Sequence, residues 1–250
     1  MLAAVAETPS FAVALDRIDN VEGWLSVDQA LRLWTRARAV PRGGRIVEIG
    51  SFRGRSTIVL GLAAGEGVEV VAIDPHAGND RGPQEIEGYE DEAERDHDVF
   101  LGNLRAAGVD GRVTHVRSFS HDALEAVDGD VDVLFIDGAH RYAPALADVR
   151  DWGARVKPAG TMLVHDAFSS VGVTLALARE CFASDGWRYV GRSRSLAEYR
   201  REPVPRAQNL AHQAAQVPWF ARNVAIKALI VARLGRVARS LGHEEGGWPY

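Results

Sequence analysis

Short runs of β-branched and apolar residues alternate with helix-like stretches along most of this chain. The alternation is typical of a parallel sheet with helices on both faces, because strands buried on both sides need continuous apolar sequence. Five strands are predicted at residues 45–49, 68–73, 112–116, 131–136 and 161–164. Two more are predicted at residues 187–190 and 195–199, as a hairpin at one sheet edge. The sequence therefore predicts an α/β fold with a seven-stranded sheet.

Helices are predicted between these strands and before the first one. Gly65 and Gly108 stand where helix stops belong. Ser26 is a predicted cap for a helix over residues 27–40. Its predicted apolar face consists of Leu31, Leu33, Trp34 and Ala37. The helices between strands are predicted at residues 54–64, 93–107, 120–127, 144–156 and 169–183.

Composition places the chain among soluble globular proteins, since 46% of its 250 residues are hydrophobic and 25% are charged. We expect a helical segment over residues 1–40, one catalytic domain over residues 41–202, and a helical tail over residues 203–250. The single Cys181 excludes an internal disulfide and a zinc site made of several thiolates, and it fits a reducing cytoplasm. The N-terminus lacks a basic region, and no apolar run reaches the roughly 18 residues of a membrane span, so a cytoplasmic protein is predicted.

The charge is unevenly distributed. A net charge of −5 argues against a nucleic-acid partner, yet residues 206–240 contain six basic residues and no acidic one. Apolar residues recur at helical spacing between Asn223 and Leu241. A basic amphipathic helix of this kind can dock on its own protein, join a homo-oligomer, or lie on an anionic membrane surface. The acidic remainder of the chain favours docking or self-association over peripheral membrane contact.

Glycines and acidic residues follow the predicted strands. Glu48, Gly50 and Gly54 lie at the turn after the first strand, where glycines allow a ligand to approach the backbone. Asp74 ends the second strand, where a carboxylate can accept both ribose hydroxyls. Together they predict an adenosine-type ligand. There is an alternative for each feature. The glycines can serve tight packing alone, and Asp74 with Pro75 can simply open a turn.

Further acidic residues follow the fourth and fifth strands. Asp137, and Asp166 with His165, should emerge at the carboxyl ends of neighbouring strands, where α/β folds bind ligands. Two carboxylates that converge there would repel each other unless a cation lay between them. His140 follows Asp137 by three residues, and its imidazole suits proton removal from an alcohol. A structural hydrogen bond within its loop is the alternative role of His140.

These motifs resemble those of the class I S-adenosylmethionine-dependent methyltransferases. The resemblance includes two further motifs, F-I-D-G-A-H-R-Y from Phe135 and K-P-A-G-T-M-L-V-H-D from Lys157. Within that class the chain most resembles the macrocin and mycinamicin sugar O-methyltransferases, and more distantly the catechol O-methyltransferases. The resemblance covers about residues 40–200 and implies a Rossmann-like sheet with S-adenosylmethionine as cofactor. It assigns the methionine part of the cofactor to Glu48, Gly50, Ser51 and Gly54, the ribose to Asp74, and the adenine to Ser120 and His121. Ser120 is equally suited to cap its own helix.

The same resemblance implies that Asp137, His165 and Asp166 bind Mg²⁺. The chain departs from both groups, because His165 stands where the macrolide enzymes carry an acid and Ala167 where the catechol enzymes carry an amide. This ligand set is weaker for Mg²⁺ and more suited to Mn²⁺ or another metal that tolerates imidazole. His140 occupies the position of a histidine in the sugar enzymes and of a catalytic lysine in the catechol enzymes.

The resulting functional expectation is methyl transfer from S-adenosylmethionine to a hydroxyl of a sugar or glycosylated small molecule, with Mg²⁺ assistance and His140 as general base. One alternative is a metal-independent small-molecule methyltransferase. Another is a non-catalytic adenosine-binding assembly module. The other histidines are predicted to be surface or lid residues, and only His76 among them to face the site. The polar, glycine-rich stretch over residues 76–92 is predicted to be a lid or binding loop.

Overall fold

The computed structural model describes residues 9–77 and 90–232, which form two compact units. The first unit contains residues 9–77 and 90–138, and the second contains residues 139–232. Most of the predicted lid loop lies outside the described residues. The helix that follows it begins at Glu90, which is earlier than the sequence predicts.

The first unit alternates strands with helices. Its strands are β1 (Arg45–Ile49), β2 (Glu69–Ile73), β3 (Val113–Val116) and β4 (Val131–Ile136). Its helices are α1 (Phe11–Ile18), α2 (Val27–Arg38), α3 (Arg55–Ala63), α4 (Glu90–Ala107) and α5 (Ser120–Ala123). Strand β1 pairs in parallel with β2 and with β4, and β2 pairs in parallel with β3. Four predicted strands are thereby confirmed.

Helix α3 lies at the centre of the first unit, with every residue from Ser56 to Ala63 buried. It packs against α1 and α2. Ser26 caps α2 in a capping box with Gln29. The predicted apolar face of α2 is wrong at Leu31, which is 47% exposed. The buried face instead follows the helical period through Ala30, Leu33, Trp34 and Ala37.

The second unit combines a long strand with a hairpin. Its strands are β5 (Val156–Val164), β6 (Trp187–Ser193) and β7 (Leu196–Arg201). Its helices are α6 (Tyr142–Ala147), α7 (Val171–Leu177), α8 (Arg206–Ala214) and α9 (Val217–Val231). Strand β7 runs antiparallel to both β5 and β6, as the predicted hairpin requires. The seven strands follow the order β3-β2-β1-β4-β5-β7-β6, which confirms the Rossmann-like α/β fold.

Two predicted helices of the second unit are interrupted. Helix α6 passes into a π-helical turn over Asp148–Trp152 and then a 3-10 turn over Gly153–Arg155. Helix α7 likewise passes into a π-helical turn over Ala178–Phe182. Hydrophobic periodicity predicts the apolar face of a helix but does not distinguish an α-helical turn from a wider one.

The described part of the basic tail forms α8 and α9. Both helices contact the rest of the second unit through buried amides. Asn209 of α8 donates to the carbonyl of Cys181 at 2.9 Å, and Asn223 of α9 donates to that of Phe168 at 3.0 Å. Docking within the protein is one of the arrangements that the sequence predicts. The predicted helix over residues 223–241 begins earlier, at Val217, and its part beyond residue 232 lies outside the described residues. Among the described helices, none has the length and apolar character needed to cross a membrane.

Candidate active site

The turn after β1 is built around two glycines in the left-handed region. Gly50 has φ 86° and Gly54 has φ 87°. A Cβ atom at Gly50 would lie 2.3 Å from the carbonyl oxygen of Asp137, a separation that real Cβ atoms do not reach. Gly50 is therefore required for the close approach between the ends of β1 and β4.

Asp74 ties the end of β2 to this turn. Its Oδ2 accepts the backbone N–H of Phe52 at 2.8 Å, and its Oδ1 accepts that of His76 at 2.7 Å. Phe52 and His76 have φ near 45°, which is unusual outside glycine and needs such support. A carboxylate has about four acceptor positions, so Asp74 retains capacity for ribose hydroxyls.

Glu48 faces α3. Its carboxyl is fully buried and accepts hydrogen bonds from the hydroxyls of Ser56 and Thr57 at the start of that helix. Burial raises the pKa of Glu48 to about 8, against the lowering effect of the two hydroxyls. The neutral carboxyl thus connects β1 to α3. A direct contact between Glu48 and the cofactor stays a prediction.

Ser51 offers a polar group for a ligand. The residue is 3% exposed, and its Oγ has no hydrogen-bond partner within the described parts of the chain. Unsatisfied buried hydroxyls are uncommon, and this one lies in the turn that leads to the N-terminus of α3. The turn thus combines an orphaned hydroxyl with backbone N–H donors, which fits a polar ligand.

The predicted adenine residues open α5. Ser120 is its first residue, while its N-cap is Phe119, so the predicted capping role of Ser120 is wrong. The His121 ring is largely exposed and stacks on Phe119 with ring centroids 5.7 Å apart. Phe119 is itself 52% exposed, although its type suits burial. The sequence analysis did not single out this aromatic residue.

In the second unit, the structure brings together His140 and Asp166. The His140 Nε2 lies 2.8 Å from the Asp166 Oδ2. Burial raises the pKa of Asp166, but the nearby His140, followed by the charges of His165 and Lys227, lowers it to about 2. The carboxylate is therefore ionised and lies at ion-pairing distance from the imidazole.

The backbone around His140 is held by the residues that precede and begin α7. Ser170 Oγ donates to the His140 carbonyl at 3.2 Å. A Cβ atom at Gly172 would lie 2.2 Å from the same carbonyl, so only glycine fits there. Asp166 itself has φ 57°, in the left-handed region. Sequence reasoning missed Ser170 and Gly172, because no motif signals a contact between residues thirty positions apart.

The predicted metal ligands divide between the two units. Asp137 ends the first unit, whereas His165 and Asp166 belong to the second. The Nδ1 of His165 lies 3.8 Å from the Asp166 Oδ1, a buried oxygen without a hydrogen-bond partner in the described chain. The other oxygen of Asp166 faces His140. The second unit thus offers a cation one carboxylate oxygen and one imidazole, which is a poor set for Mg²⁺.

Three histidines that were predicted on the surface or in the lid instead form a cluster with Phe100. The rings of His76, His97 and His115 lie with centroids 5.0 to 5.2 Å apart. Burial, followed by the charges of His76 and His97, lowers the pKa of His115 to about 4. His76, predicted to be a surface or lid residue that faces the site, is 4% exposed and so is not on the surface. Its Nε2 lies 2.9 Å from the Phe52 carbonyl oxygen, so His76 supports the turn after β1.

One group of three potential metal ligands converges within the described residues. Atoms of Glu94, His97 and Asp98 lie within 4.8 Å of one another. However, the Arg117 guanidinium is already present, 2.5 Å from a Glu94 oxygen and 3.3 Å from the His97 Nδ1. The arginine supplies the positive charge that a metal would bring.

Comparison with known proteins agrees with this geometry. A family model described as a methyltransferase domain matches residues 47–167. Cofactor-bound Rv0187 from MTB is 21% identical, with 81% of this chain and 94% of that chain covered and a TM-score of 0.57. The O-methyltransferase NovP is 19% identical over 71% of this chain and 81% of that one, with a TM-score of 0.55. An O-methyltransferase from Bacillus cereus in complex with SAH is 17% identical over 78% and 91%, with a TM-score of 0.51.

The sheet order and the glycine turn therefore define a class I methyltransferase fold. Residues 47–167, just under half of the chain, match the methyltransferase domain.

Proposed function

We propose that this protein transfers a methyl group from S-adenosylmethionine to a hydroxyl oxygen of a sugar or of a glycosylated small molecule. The observation that carries the proposal is the 2.8 Å separation of the His140 Nε2 from the Asp166 Oδ2. This pair, called the His140–Asp166 dyad, supplies a base for a hydroxyl acceptor. The resemblance to sugar O-methyltransferases supports the substrate class. Solved O-methyltransferases with the same fold support oxygen as the acceptor atom.

The turn after β1 suits the cofactor. Gly50 and Gly54 keep the backbone accessible, and the buried Ser51 hydroxyl lacks a partner in the described chain. Asp74 would bind the ribose with its remaining acceptor positions. When bound, S-adenosylmethionine supplies a methyl group on a positively charged sulfur. The protein then contributes mainly by orienting the acceptor and by removing its proton.

His140 removes that proton in our proposal. In this proposal the Asp166 carboxylate, 2.8 Å from Nε2, keeps the proton on that nitrogen and leaves the lone pair of the neutral imidazole on Nδ1. Nδ1 accepts the hydroxyl proton as the oxygen attacks, and Asp166 stabilises the resulting imidazolium. This arrangement needs no covalent intermediate on the enzyme.

Magnesium assistance stays a prediction. Asp166 directs one oxygen to His140, and the adjacent ligand is an imidazole, so the donor set fits Mg²⁺ poorly. We therefore favour proton removal by the dyad without a metal. Self-association through the tail and a cytoplasmic location also stay predictions.

The test is the substitution His140→Ala in the full chain. Turnover on a panel of glycosides should fall by about 10²- to 10⁴-fold, the usual contribution of a general base. The affinity for S-adenosylhomocysteine, measured by calorimetry, should be unchanged because the cofactor residues belong to the first unit. His212→Ala is the control, since this histidine is exposed on α8. Turnover near the wild-type rate in His140→Ala would exclude the base.

A chelator separates the two mechanisms. The dyad mechanism predicts that EDTA leaves wild-type turnover intact and that added Mg²⁺ or Mn²⁺ does not stimulate it. Loss of turnover with EDTA and its recovery with metal would establish the metal-assisted mechanism instead. Binding of S-adenosylhomocysteine without turnover of any hydroxyl acceptor would favour the non-catalytic adenosine-binding module.

A further inference from the structure

The loop from Asp166 to Ser170 joins β5 to α7 and contains two residues in the left-handed region. Asp166 and Phe168 have φ of 57° and 58°. Each left-handed residue of this kind costs about 1 to 3 kcal/mol, and such residues persist only when their surroundings impose them. Residues 166–169 are all buried, so the constraint must come from neighbouring protein groups.

Helix α9 adds to the hydrogen bonds that the loop makes with itself and with Thr174. Asn223 is fully buried and donates to the Phe168 carbonyl at 3.0 Å, and Lys227 Nζ donates to the Ser169 carbonyl at 3.1 Å. The two side chains are four residues apart and therefore lie on the same helix face. Ile226, on that same side, is also fully buried. Two successive carbonyls of the loop are thus held from one helix.

The charge of Lys227 also acts on the loop after β5. Its side chain is half-buried, which lowers its pKa, and Asp166 counteracts that effect. A half-buried ammonium is costly unless an anion compensates it. Lys227 in turn helps to lower the pKa of Asp166. Lys227 therefore adds an attractive charge near Asp166 to its hydrogen bond with the Ser169 carbonyl.

We infer that Asn223 and Lys227 are positioning residues, which hold the loop after β5 so that the Asp166 carboxylate stays aimed at His140. This inference rests on the proposed role of His140. It assigns a catalytic purpose to α9, which lies beyond the region matched by the methyltransferase-domain model, residues 47–167. Both residues act through Asp166.

The test uses the full chain saturated with S-adenosylhomocysteine and needs no acceptor. Exchange of the His140 Nε2–H proton with water, followed by imidazole ¹⁵N NMR, reports the hydrogen bond to Asp166. Lys227→Gln and Asn223→Ala should each accelerate that exchange by about tenfold or more. Lys227→Arg should retain slow exchange, because arginine keeps the charge and the donor. Arg206→Gln is the control, since it removes a basic charge from the tail at an exposed pair with Asp185.

Activity then separates the two claims. On a glycoside that the wild type methylates, the two loosening variants should lower kcat by about tenfold while the KM for S-adenosylmethionine stays constant. Unchanged exchange of the His140 proton in both variants would overturn the positioning role, even if His140→Ala is inactive. Accelerated exchange, with His140→Ala fully active, would uphold the positioning role and reject the base.

Discussion

Each unit has two non-glycine residues with positive φ in the loops that contain its candidate functional residues. Phe52 and His76 flank Asp74, and Asp166 and Phe168 lie in the loop after β5. Each pair is held by specific hydrogen bonds: Asp74 binds the backbone of Phe52 and His76, and α9 binds the carbonyl of Phe168. Strain of this kind is characteristic of sites where geometry matters more than local stability.

Glu48 makes the stability of the protein depend on pH. Its pKa is about 8 when folded and 4.5 when exposed, so its contribution is fully present below about pH 4.5 and is lost as the pH rises through 8. The free energy of unfolding should therefore fall between these values, by at most about 1.4 kcal/mol per pH unit. Glu48→Gln, which mimics the neutral carboxyl, should reduce that slope.

Urea denaturation at pH 5 and pH 8 measures this effect. The exposed Glu66→Gln is the control, and its slope should match the wild type. Equal slopes for wild type and Glu48→Gln would show that Glu48 is ionised in the folded protein at neutral pH.

Substitution of Gly50 by alanine tests the turn after β1, and the same substitution at Gly102, in α4, is the control. Gly50→Ala forces a Cβ atom to within 2.3 Å of the Asp137 carbonyl and keeps φ at 86°, so the variant should lose about 2 kcal/mol or more of stability and most of its affinity for S-adenosylhomocysteine. Gly102→Ala, within α4, meets no atom within 4 Å. It should gain about 0.5 to 1 kcal/mol, because alanine favours the helix. Chemical denaturation and calorimetry measure both variants, and a Gly50→Ala protein with normal affinity would contradict the proposed cofactor turn.

At the scale of elements, buried amides join the tail helices to the rest of the second unit. Asn209 is 1% exposed, donates to the carbonyls of Cys181, Ser184 and Trp187, and accepts the backbone N–H of Tyr189. Gln213, one turn later, accepts a hydrogen bond from the Tyr199 hydroxyl at 2.9 Å. Polar contacts of this kind fix one register of the helix on the second unit.

Asn209→Ala should therefore destabilise the protein by about 2 to 4 kcal/mol, because it leaves several buried backbone groups without partners. Gln208→Ala, at an exposed position of α8, should change stability by less than about 0.5 kcal/mol. Thermal or urea unfolding measures both variants. A small effect of Asn209→Ala would mean that α8 docks mainly through apolar contact.

At the scale of the whole molecule, the basic residues in the described part of the tail interact with groups of the same chain. Arg206 pairs with Asp185 at 2.8 Å, Lys227 binds the Ser169 carbonyl, and Arg222 stacks over the Trp219 ring at 5.1 Å. The chain as a whole carries a net charge of −5, which opposes binding to an anionic surface.

We therefore expect little of the full chain to sediment with vesicles of phosphatidylserine and phosphatidylcholine at about 150 mM salt. Light scattering of the same sample reports whether the chain self-associates. A chain truncated after Ala232 is the comparison, since Arg233, Arg236 and Arg239 follow that residue. Sedimentation of the full chain but not of the truncated one would locate a membrane contact in the last 18 residues.

The sequence alone predicted the strands, their class of fold and the class of ligand. Strands buried on both faces need uninterrupted apolar runs, and ligand-binding residues of α/β folds follow those strands. Asp74 and Asp137, which directly follow β2 and β4, and Asp166, two residues after β5, were located in this way. Local patterns of this kind can be predicted from sequence because residues close together in the chain determine them.

The tertiary structure decided which polar groups meet. Three contacts join residues that are between 26 and 58 positions apart. They are the pairing of His140 with Asp166, the close approach of Gly172 to the His140 carbonyl, and the hydrogen bond from Lys227 to the Ser169 carbonyl. No periodicity encodes such contacts, because they depend on where separate elements end and on which backbone groups remain unsatisfied there. The turn after β1 could be predicted from sequence, whereas the dyad and its support by α9 follow only from the folded chain.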